Sequence, residues 1–125
     1  MKQNKSERAI GKSGEDFASF ILSKDGYNIL CRNYTCHGGE IDIVATKDKY
    51  LCFVEVKLRS ISSGIRPAEA VDDKKMSRIK TAAEHFLQEF CDNKYISCLE
   101  ARFDIIEIYT SKGVIKTYNH IKGIN

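Results

Sequence analysis

The chain has 125 residues, 42% of them hydrophobic and 30% charged, which is typical of a folded domain and excludes a disordered polar chain. No apolar run approaches the roughly 18 residues that a membrane helix needs, and the basic N-terminus has no apolar signal segment. We therefore predict a single domain over residues 1–125, a cytoplasmic location and no membrane contact, with residues 1–11 forming a basic, flexible N-terminal segment.

Two helices are predicted. The first covers residues 12–25 and ends before Gly26, which suits a C-terminal stop. The second covers residues 67–90, with Pro67 in its first turn. The apolar stripe of the first helix is predicted to be Phe17, Phe20 and Ile21, with Ala18 and Leu22 beside it. The stripe of the second is predicted to be Met76, Ile79, Ala83, Phe86 and Phe90.

Five strands are predicted from alternating or continuous apolar runs bounded by turn residues. They cover residues 27–34, 40–46, 50–58, 102–109 and 114–120. The last two form a hairpin around residues 111–113. The element order is α-β-β-β-α-β-β, which predicts a mixed α/β fold with three layers, a central mixed sheet flanked by helices.

The cysteines do not predict a disulfide framework. Their number is odd, and no two of them form a C-x-x-C pair. We expect free thiols in a reducing compartment. These residues are Cys31, Cys36, Cys52, Cys91 and Cys98.

Charged residues interrupt the second and third strands, where apolar residues dominate both faces. Glu55 and Lys57 project from the same face of the third strand as Leu51 and Phe53, about 7 Å apart along it. In the second strand, alternation puts Ile41, Ile43 and Ala45 on one face and Glu40, Asp42 and Val44 on the other. A turn centred between Asp48 and Lys49 would then set Asp42 directly opposite Glu55 on one face.

Two carboxylates facing each other across strands repel, and burying them unpaired costs several kcal/mol each. Three arrangements would offset this cost. Lys57 could pair with them, the two groups could share one proton, or a divalent cation could take oxygen ligands from both. A purely structural network of Asp42, Glu55 and Lys57 is a fourth interpretation that the residues leave open.

Mg²⁺, with Mn²⁺ as an alternative, suits such a pair, because it needs only one or two carboxylates and keeps positions for water and phosphate oxygens. A metal ion so placed lowers the pKa of the attacking water and neutralises charge that develops on phosphorus. A neighbouring lysine ammonium can orient the water or stabilise the transition state. The pattern therefore predicts phosphodiester hydrolysis.

The spacing of Asp42, Glu55 and Lys57 resembles the PD-(D/E)xK signature of the restriction-endonuclease-like fold. A longer ordered set of motifs over about residues 11–109 resembles the YraN-type family of small bacterial proteins. Those motifs are Gly14-Glu15, Gly39-Glu40-Ile41-Asp42, Phe53-Val54-Glu55-Val56-Lys57-x-Arg59, Lys75 and Arg102-Phe103-Asp104. The chain is also similar to archaeal Holliday-junction resolvases. The proline that precedes the signature aspartate is replaced here by Ile41.

The resemblance implies a restriction-endonuclease-like domain and a catalytic set. Asp42 and Glu55 would ligate metal, Lys57 would assist the water, and Glu15 would reach the site from the first helix. The alternative for Glu15, with equal weight, is a role only as an acidic residue that stabilises the helix N-terminus. Glu40 is expected either to ligate a second metal ion or to cap its strand.

Basic residues near this region are predicted to contact the phosphate backbone of a nucleic acid, DNA rather than RNA. They are Arg59, Lys74, Lys75 and Arg78. The alternative for the last three is a solvated helix face. The loop over residues 60–66 is expected to border the site and to become ordered on binding.

Three functions follow from these observations. The first is a metal-dependent nuclease, either an endonuclease or an exonuclease, with branched or otherwise structured DNA as one candidate substrate. The second is a nucleic-acid-binding module of the same fold that cuts little alone and acts with a partner protein. The third is a structural interaction domain. The small size of the chain favours assembly, and a homodimer would supply two sites for two strands.

Overall fold

The computed structural model describes residues 5–61 and 73–124, with side chains from residue 13 onward. The helices are α1 (Lys5–Lys24), α2 (Asp73–Glu89) and α3 (Lys94–Ser97), and the strands are β1 (Asn28–Cys36), β2 (Gly39–Lys47), β3 (Tyr50–Ser60), β4 (Glu100–Ser111) and β5 (Val114–Ile121). Among the described helices, none combines the length and apolar character needed to cross a membrane.

The strands form one mixed sheet in the order β1-β2-β3-β4-β5. The β3–β4 pair is parallel, and the other three pairs are antiparallel. One face packs against α1 through a core around Ala18 and Leu22, and the other packs against α2 through Ile79 and Phe86. The predicted mixed α/β fold, with a central sheet flanked by helices, is confirmed.

Helix α1 begins at Lys5 and not at residue 12, so residues 5–11 of the predicted N-terminal segment are helical. The segment is rich in lysine, glutamate, arginine and alanine, which favour helix. The predicted stripe was wrong at Phe20, which is 62% exposed, because Ala18, Ile21 and Leu22 form the centre of the buried face. The predicted start of the second helix at Pro67 lies outside the described residues, as does most of the loop over residues 60–66.

The predicted stripe of α2 is confirmed at Met76, Ile79, Ala83 and Phe86, and Phe90 packs against the same core from beyond the helix end. Helix α3 was not predicted. It is only four residues long, and the Asn93 side chain caps it by accepting a hydrogen bond from Ile96 N at 3.0 Å.

The predicted register between β2 and β3 is confirmed from Lys47–Tyr50 to Ile43–Val54. Asp48, in the connecting turn, adopts a left-handed conformation with φ of 54°. The predicted final hairpin turns at Lys112 and Gly113, both of which also have positive φ. These tight turns suit the right-handed twist of the strands that they join.

Alternation along β2 breaks at Asp42. Ile43 and Ala45 lie in the core under α1, as one face requires, but Ile41 lies with Val44 in the core under α2. The prediction that Ile41 shares a face with Ile43 was therefore wrong. The physical reason is local, since pairing with β3 ends at Ile43–Val54 and the Asp42 side chain binds the β3 backbone instead.

Strand β2 and helix α2 approach each other closely at Gly39. A Cβ atom built at this position would clash with the Arg78 carbonyl oxygen and lie 2.8 Å from Ala82 N. The absence of a side chain at Gly39 therefore allows the N-terminal half of α2 to lie against the start of β2. This contact sets the position of the helix residues that face Asp42.

Candidate functional site

The structure brings Asp42 and Glu55 together where β2 and β3 begin to separate. Asp42 Oδ2 accepts a hydrogen bond of 2.8 Å from Val56 N, which fixes the carboxylate beside the backbone of β3. Glu55 is 5% exposed, and its Oε1 forms an ion pair of 3.1 Å with Lys75 Nζ. The predicted pair of carboxylates is thus present, with a cation from α2 against it.

Electrostatics in this pair disfavour two full negative charges. Burial raises the pKa of Glu55 to about 7, and the charge of Asp42 adds to the increase. Burial also raises the pKa of Asp42, although the hydrogen bond from Val56 opposes it. Ionisation of one carboxyl group makes ionisation of the other less favourable, so Asp42 and Glu55 lose their protons as a coupled pair. A cation or a proton is therefore needed to stabilise the arrangement.

Lys75, rather than Lys57, is the lysine paired with Glu55. The hydrogen bond and charge of Glu55 raise the pKa of Lys75, although burial alone lowers it. Lys57 is half-buried, and among the described side chains it has no ion pair within 4.0 Å. The signal for Lys75 was in the sequence, because it lies four residues before Ile79 on the buried stripe of α2.

Glu15 lies on the α1 side of this site and is tied to β1. Its Oε2 accepts hydrogen bonds from Asn33 Nδ2 at 3.3 Å and from Arg32 at 3.5 Å. Asn33 has φ of 54°, a left-handed conformation, and lies between Arg32 and Tyr34, which pair with Ile43 and Ile41 of β2. The charge of Glu15 raises the pKa of Asp42. Glu15 is therefore near enough to influence the site through its charge, while its hydrogen bonds go to β1.

Three of the other predicted residues are exposed or partly exposed on β2 and α2. Glu40 and Arg78 are half-exposed and lie 4.0 Å apart, and the charge of Glu40 contributes to the raised pKa of Lys75. Lys74 is exposed at the start of α2. Lys75 and Arg78 therefore bring positive charge to this region from α2.

Sequence reasoning missed Glu107, a carboxylate on β4 that is 1% exposed. Arg59 Nε donates to Glu107 Oε2 at 2.9 Å, and Tyr109 Oη donates to Glu107 Oε1 at 3.3 Å. Its signal was a charged residue inside the apolar run Ile105-Ile106-Glu107-Ile108. The parallel register places Glu107 beside Lys57, next along the ladder from Glu55.

Asp104, which belongs to one of the resemblance motifs, lies outside this site. It is 1% exposed and accepts hydrogen bonds from Arg102, His120 and Gly123 N at 2.8 to 3.1 Å. It pairs along the ladder with Val54, which lies in the core under α1. Every feature of Asp104 is that of a fully bonded structural carboxylate.

A surface pocket lies away from the carboxylates. It is lined by His85, Gln88 and Glu89 and has a volume of about 350 Å³. His85 is ten residues beyond Lys75 on α2, which corresponds to about 15 Å along the helix. The pocket therefore belongs to the other end of α2, where Tyr34 Oη contacts His85 Nδ1 at 2.6 Å and Glu89 Oε1 at 2.8 Å.

The residues present fit a magnesium ion with few protein ligands. Within the described residues, no three His, Cys, Asp or Glu side chains form a group ready to hold a metal ion. Mg²⁺, however, usually binds one or two carboxylates and completes its shell with water and substrate phosphate. Glu55 Oε2 is buried and receives no hydrogen bond from a donor group among the described residues, and the Asp42 carboxylate lies beside Glu55, so the pair offers hard oxygen ligands to one ion.

Comparison with known proteins gives one consistent result. The model of the family described as Uncharacterised protein family UPF0102 matches residues 14–108. A UPF0102 protein of Clostridium perfringens (strain SM101 / Type A) is 45% identical over 83% of this chain and 82% of its own length. A UPF0102 protein of Caldicellulosiruptor bescii is 42% identical over 94% of this chain and 92% of its own length. A UPF0102 protein of Dictyoglomus thermophilum is 46% identical over 84% of this chain and 86% of its own length.

Proposed function

This chain belongs to UPF0102, and we propose that it is a metal-dependent nuclease that hydrolyses phosphodiester bonds in DNA. The observation that carries the proposal is the buried pair of Asp42 and Glu55, with Glu55 Oε2 lacking a hydrogen-bond partner among the described residues. A polar atom left in this state costs about 1–3 kcal/mol. Binding of a divalent cation at this site would give Glu55 Oε2 a partner and would explain why the buried glutamate is present.

The spacing of Asp42, Glu55 and Lys57 supports placing the chain among the PD-(D/E)xK nucleases. Two further features agree with this placement. The β2–β3 hairpin opens at Asp42, and Lys57 shares the face of β3 that carries Glu55. The sheet therefore presents two carboxylates and one lysine to the same side.

Asp42 and Glu55 would hold Mg²⁺ or Mn²⁺, with Glu40 within the same region of β2. When bound, the metal ion supplies a more acidic water and neutralises charge on the phosphoryl oxygens. Lys57 orients the attacking water through its ammonium group, and Lys75 lowers the repulsion between the carboxylates. Lys74 and Arg78 attract the phosphate backbone at the rim.

A second candidate is a nucleic-acid-binding module with little activity of its own. The observation that favours it is the ion pair between Lys75 and Glu55, because a lysine can neutralise a carboxylate without a metal ion. Such a module would act with a partner protein. The two functions differ in one measurable property, the hydrolysis of a phosphodiester bond by the chain alone.

The deciding experiment is calorimetric titration of the chain with Mg²⁺ and Mn²⁺, for the wild type, Asp42→Asn and Glu55→Gln. Glu84→Gln, an exposed glutamate on α2, is the matched control. Cleavage is measured in parallel on single-stranded, duplex, flap and four-way-junction DNA. We expect metal binding and cleavage in the wild type and the control, and loss of both in the two site variants.

Other results would separate the candidates. Metal binding that depends on Asp42 without cleavage of any substrate would favour the binding module or a partner-dependent enzyme. Absence of metal binding by the wild type, even with DNA present, would contradict the proposed site. Light scattering with and without DNA would test the proposed homodimer.

A further inference from the structure

The face of the sheet under α2 changes character along β3. Leu51 and Phe53 lie in the apolar core with Ile79 and Phe86. The next residues on the same face are Glu55, Lys57 and Arg59, and no described residue beyond Phe53 on this face of β3 belongs to that core. The end of β3 therefore presents polar groups that continue outward from the carboxylate site.

Glu107 supports this polar stretch from the neighbouring strand. It lies beside Lys57 in the parallel ladder, and Tyr109 lies beside Arg59. Glu107 Oε2 binds Arg59 Nε at 2.9 Å, and Tyr109 Oη binds the other oxygen, Oε1, at 3.3 Å. Because a guanidinium is planar, a carboxylate held at Nε fixes the plane of the whole group.

The cost of this arrangement argues for a use beyond stability. Glu107 is 1% exposed, whereas the side chain of Arg59 remains 23% exposed, so the carboxylate is buried and the cation reaches solvent. Replacing a buried ion pair with apolar residues of similar size is often neutral or stabilising. The neighbours of Glu107 along β4 are isoleucines, so an apolar residue at this position would suit the strand.

We propose that Arg59, oriented by Glu107, forms with Tyr109 a subsite for a phosphodiester group that flanks the one cleaved at Asp42 and Glu55. This inference rests on the proposed nuclease function. Arg59 is four residues from Glu55 on β3, about 13 Å between Cα atoms, so its backbone lies further out along the polar stretch than the two carboxylates. Glu107 is a positioning residue, and Arg59 makes the contact with the nucleic acid.

The test is DNA binding by the full chain, measured by fluorescence anisotropy in EDTA with single-stranded and duplex oligonucleotides at several salt concentrations. The main variant is Arg59→Met with Glu107→Leu, which removes one charge of each sign and leaves the net charge unchanged. Lys49→Met with Glu100→Leu is the matched control, because it makes the same exchange at two exposed residues at the opposite end of the β3–β4 pair, one directly before β3 and one at the start of β4.

We expect the main variant to bind both single-stranded and duplex DNA several-fold more weakly than the control. The slope of log K against log [salt] should fall in magnitude by about 1, the value for one lost phosphate contact. Glu107→Gln is compared with Glu100→Gln, so that the lost negative charge is matched, and it should bind more weakly than that control with the same salt slope, because the charge of Arg59 remains. If the double variant does not fold, as judged by circular dichroism, Glu107→Gln alone decides between the outcomes.

An affinity and slope equal to those of the matched control, in the folded double variant or in Glu107→Gln if that variant alone folds, would overturn the proposal. A wild-type chain that does not bind DNA would overturn it as well. Calorimetric binding of Mg²⁺ keeps the two proposals apart, since it depends on Asp42 and Glu55 and should be unchanged in Arg59→Met with Glu107→Leu. The subsite can therefore fail while the metal site stands.

Discussion

Glu55 is the residue whose environment departs most from that of an ordinary strand position. It is buried on a β-strand, contacts a lysine through one oxygen and leaves the other without a partner among the described residues. Its pKa is raised to about 7, mainly by burial and then by the charge of Asp42. The folded protein therefore holds a proton that the unfolded chain releases near the usual value of about 4.3.

This shift makes the free energy of unfolding depend on pH. Between about pH 4.5 and pH 7 the folded state binds more protons at Glu55 than the unfolded state, so stability falls as pH rises through this window. The shift corresponds to a cost on the order of 3 kcal/mol above pH 7. We predict that Glu55→Gln is more stable than the wild type at pH 8 in EDTA and that the difference vanishes near pH 4.5. Urea unfolding at both pH values measures this, and a variant that is less stable at pH 8 would contradict it.

At the scale of elements, the position of α2 on the sheet depends on Gly39. This glycine does not have a positive φ, so its role is the space that it leaves for the backbone at Arg78 and Ala82. Any side chain here would push α2 away from β2. Because Lys75 is on the same helix, its contact with Glu55 depends on this close approach.

We predict that Gly39→Ala destabilises the protein by about 2–3 kcal/mol, as overpacking does in other cores. Gly113→Asn is the control, since Gly113 has φ of 75°, a conformation that asparagine tolerates, and no atom lies within 4 Å of a Cβ built there. Urea midpoints compare the two variants. Equal midpoints would show that α2 adjusts to the added methyl group without cost.

The elements that could be predicted from sequence are those specified by local signals. The turns at residues 48–49 and 112–113 and the alternation of Cys52, Val54 and Val56 needed only neighbouring residues, and the β2–β3 register followed from them. The predicted burial of Phe20 and the predicted face of Ile41 were wrong for a different reason. Which side of a helix or strand is buried depends on the element packed against it, and that information is not local.

The residues of the site also divide into those that neighbouring sequence predicts and those that distant parts of the chain supply. Asp42 and Glu55 were predicted together because one hairpin carries both. Lys75 was expected only at the nucleic-acid surface, and Glu107 was not expected at all, because α2 and β4 reach the site from distant parts of the chain. Charged residues inside apolar runs were the available signal, and it was applied to Glu55 but not to Glu107.

For the molecule as a whole, Asp104 links β4, β5 and the C-terminal residues. Its carboxylate binds Arg102 on β4, His120 on β5 and the backbone of Gly123, and Ile124 N donates to Phe103 O at 2.7 Å. Burial alone would raise the pKa of Asp104, but the hydrogen bonds from His120 and Arg102 hold it below its usual value. The ionised carboxylate is thus the stabilising form.

We predict that Asp104→Asn lowers the free energy of unfolding by about 3 kcal/mol at pH 7, as removal of one partner from a buried ion pair does. Because the folded pKa is depressed, the stabilisation by Asp104 is present above about pH 4 and is lost as pH falls through the folded value. The difference between wild type and variant should therefore shrink below pH 4. Chemical denaturation at pH 7 and pH 3 checks this, and a difference that stays constant would contradict it.

The single parallel pair at the centre of the sheet has a consequence for the order of folding. Strands β1, β2 and β3 are joined by short turns, as are β4 and β5, whereas every β3–β4 partner lies 50 residues away in the chain. Contacts of such long range form late, because the entropy of closing the loop must be overcome first. We expect pulse-labelled hydrogen exchange to protect the amides of β2 before those of Ile105–Ile108. The hairpin with both carboxylates would then exist before Glu107 arrives to hold Arg59, so the proposed metal site and the proposed phosphate subsite would be completed in separate kinetic steps.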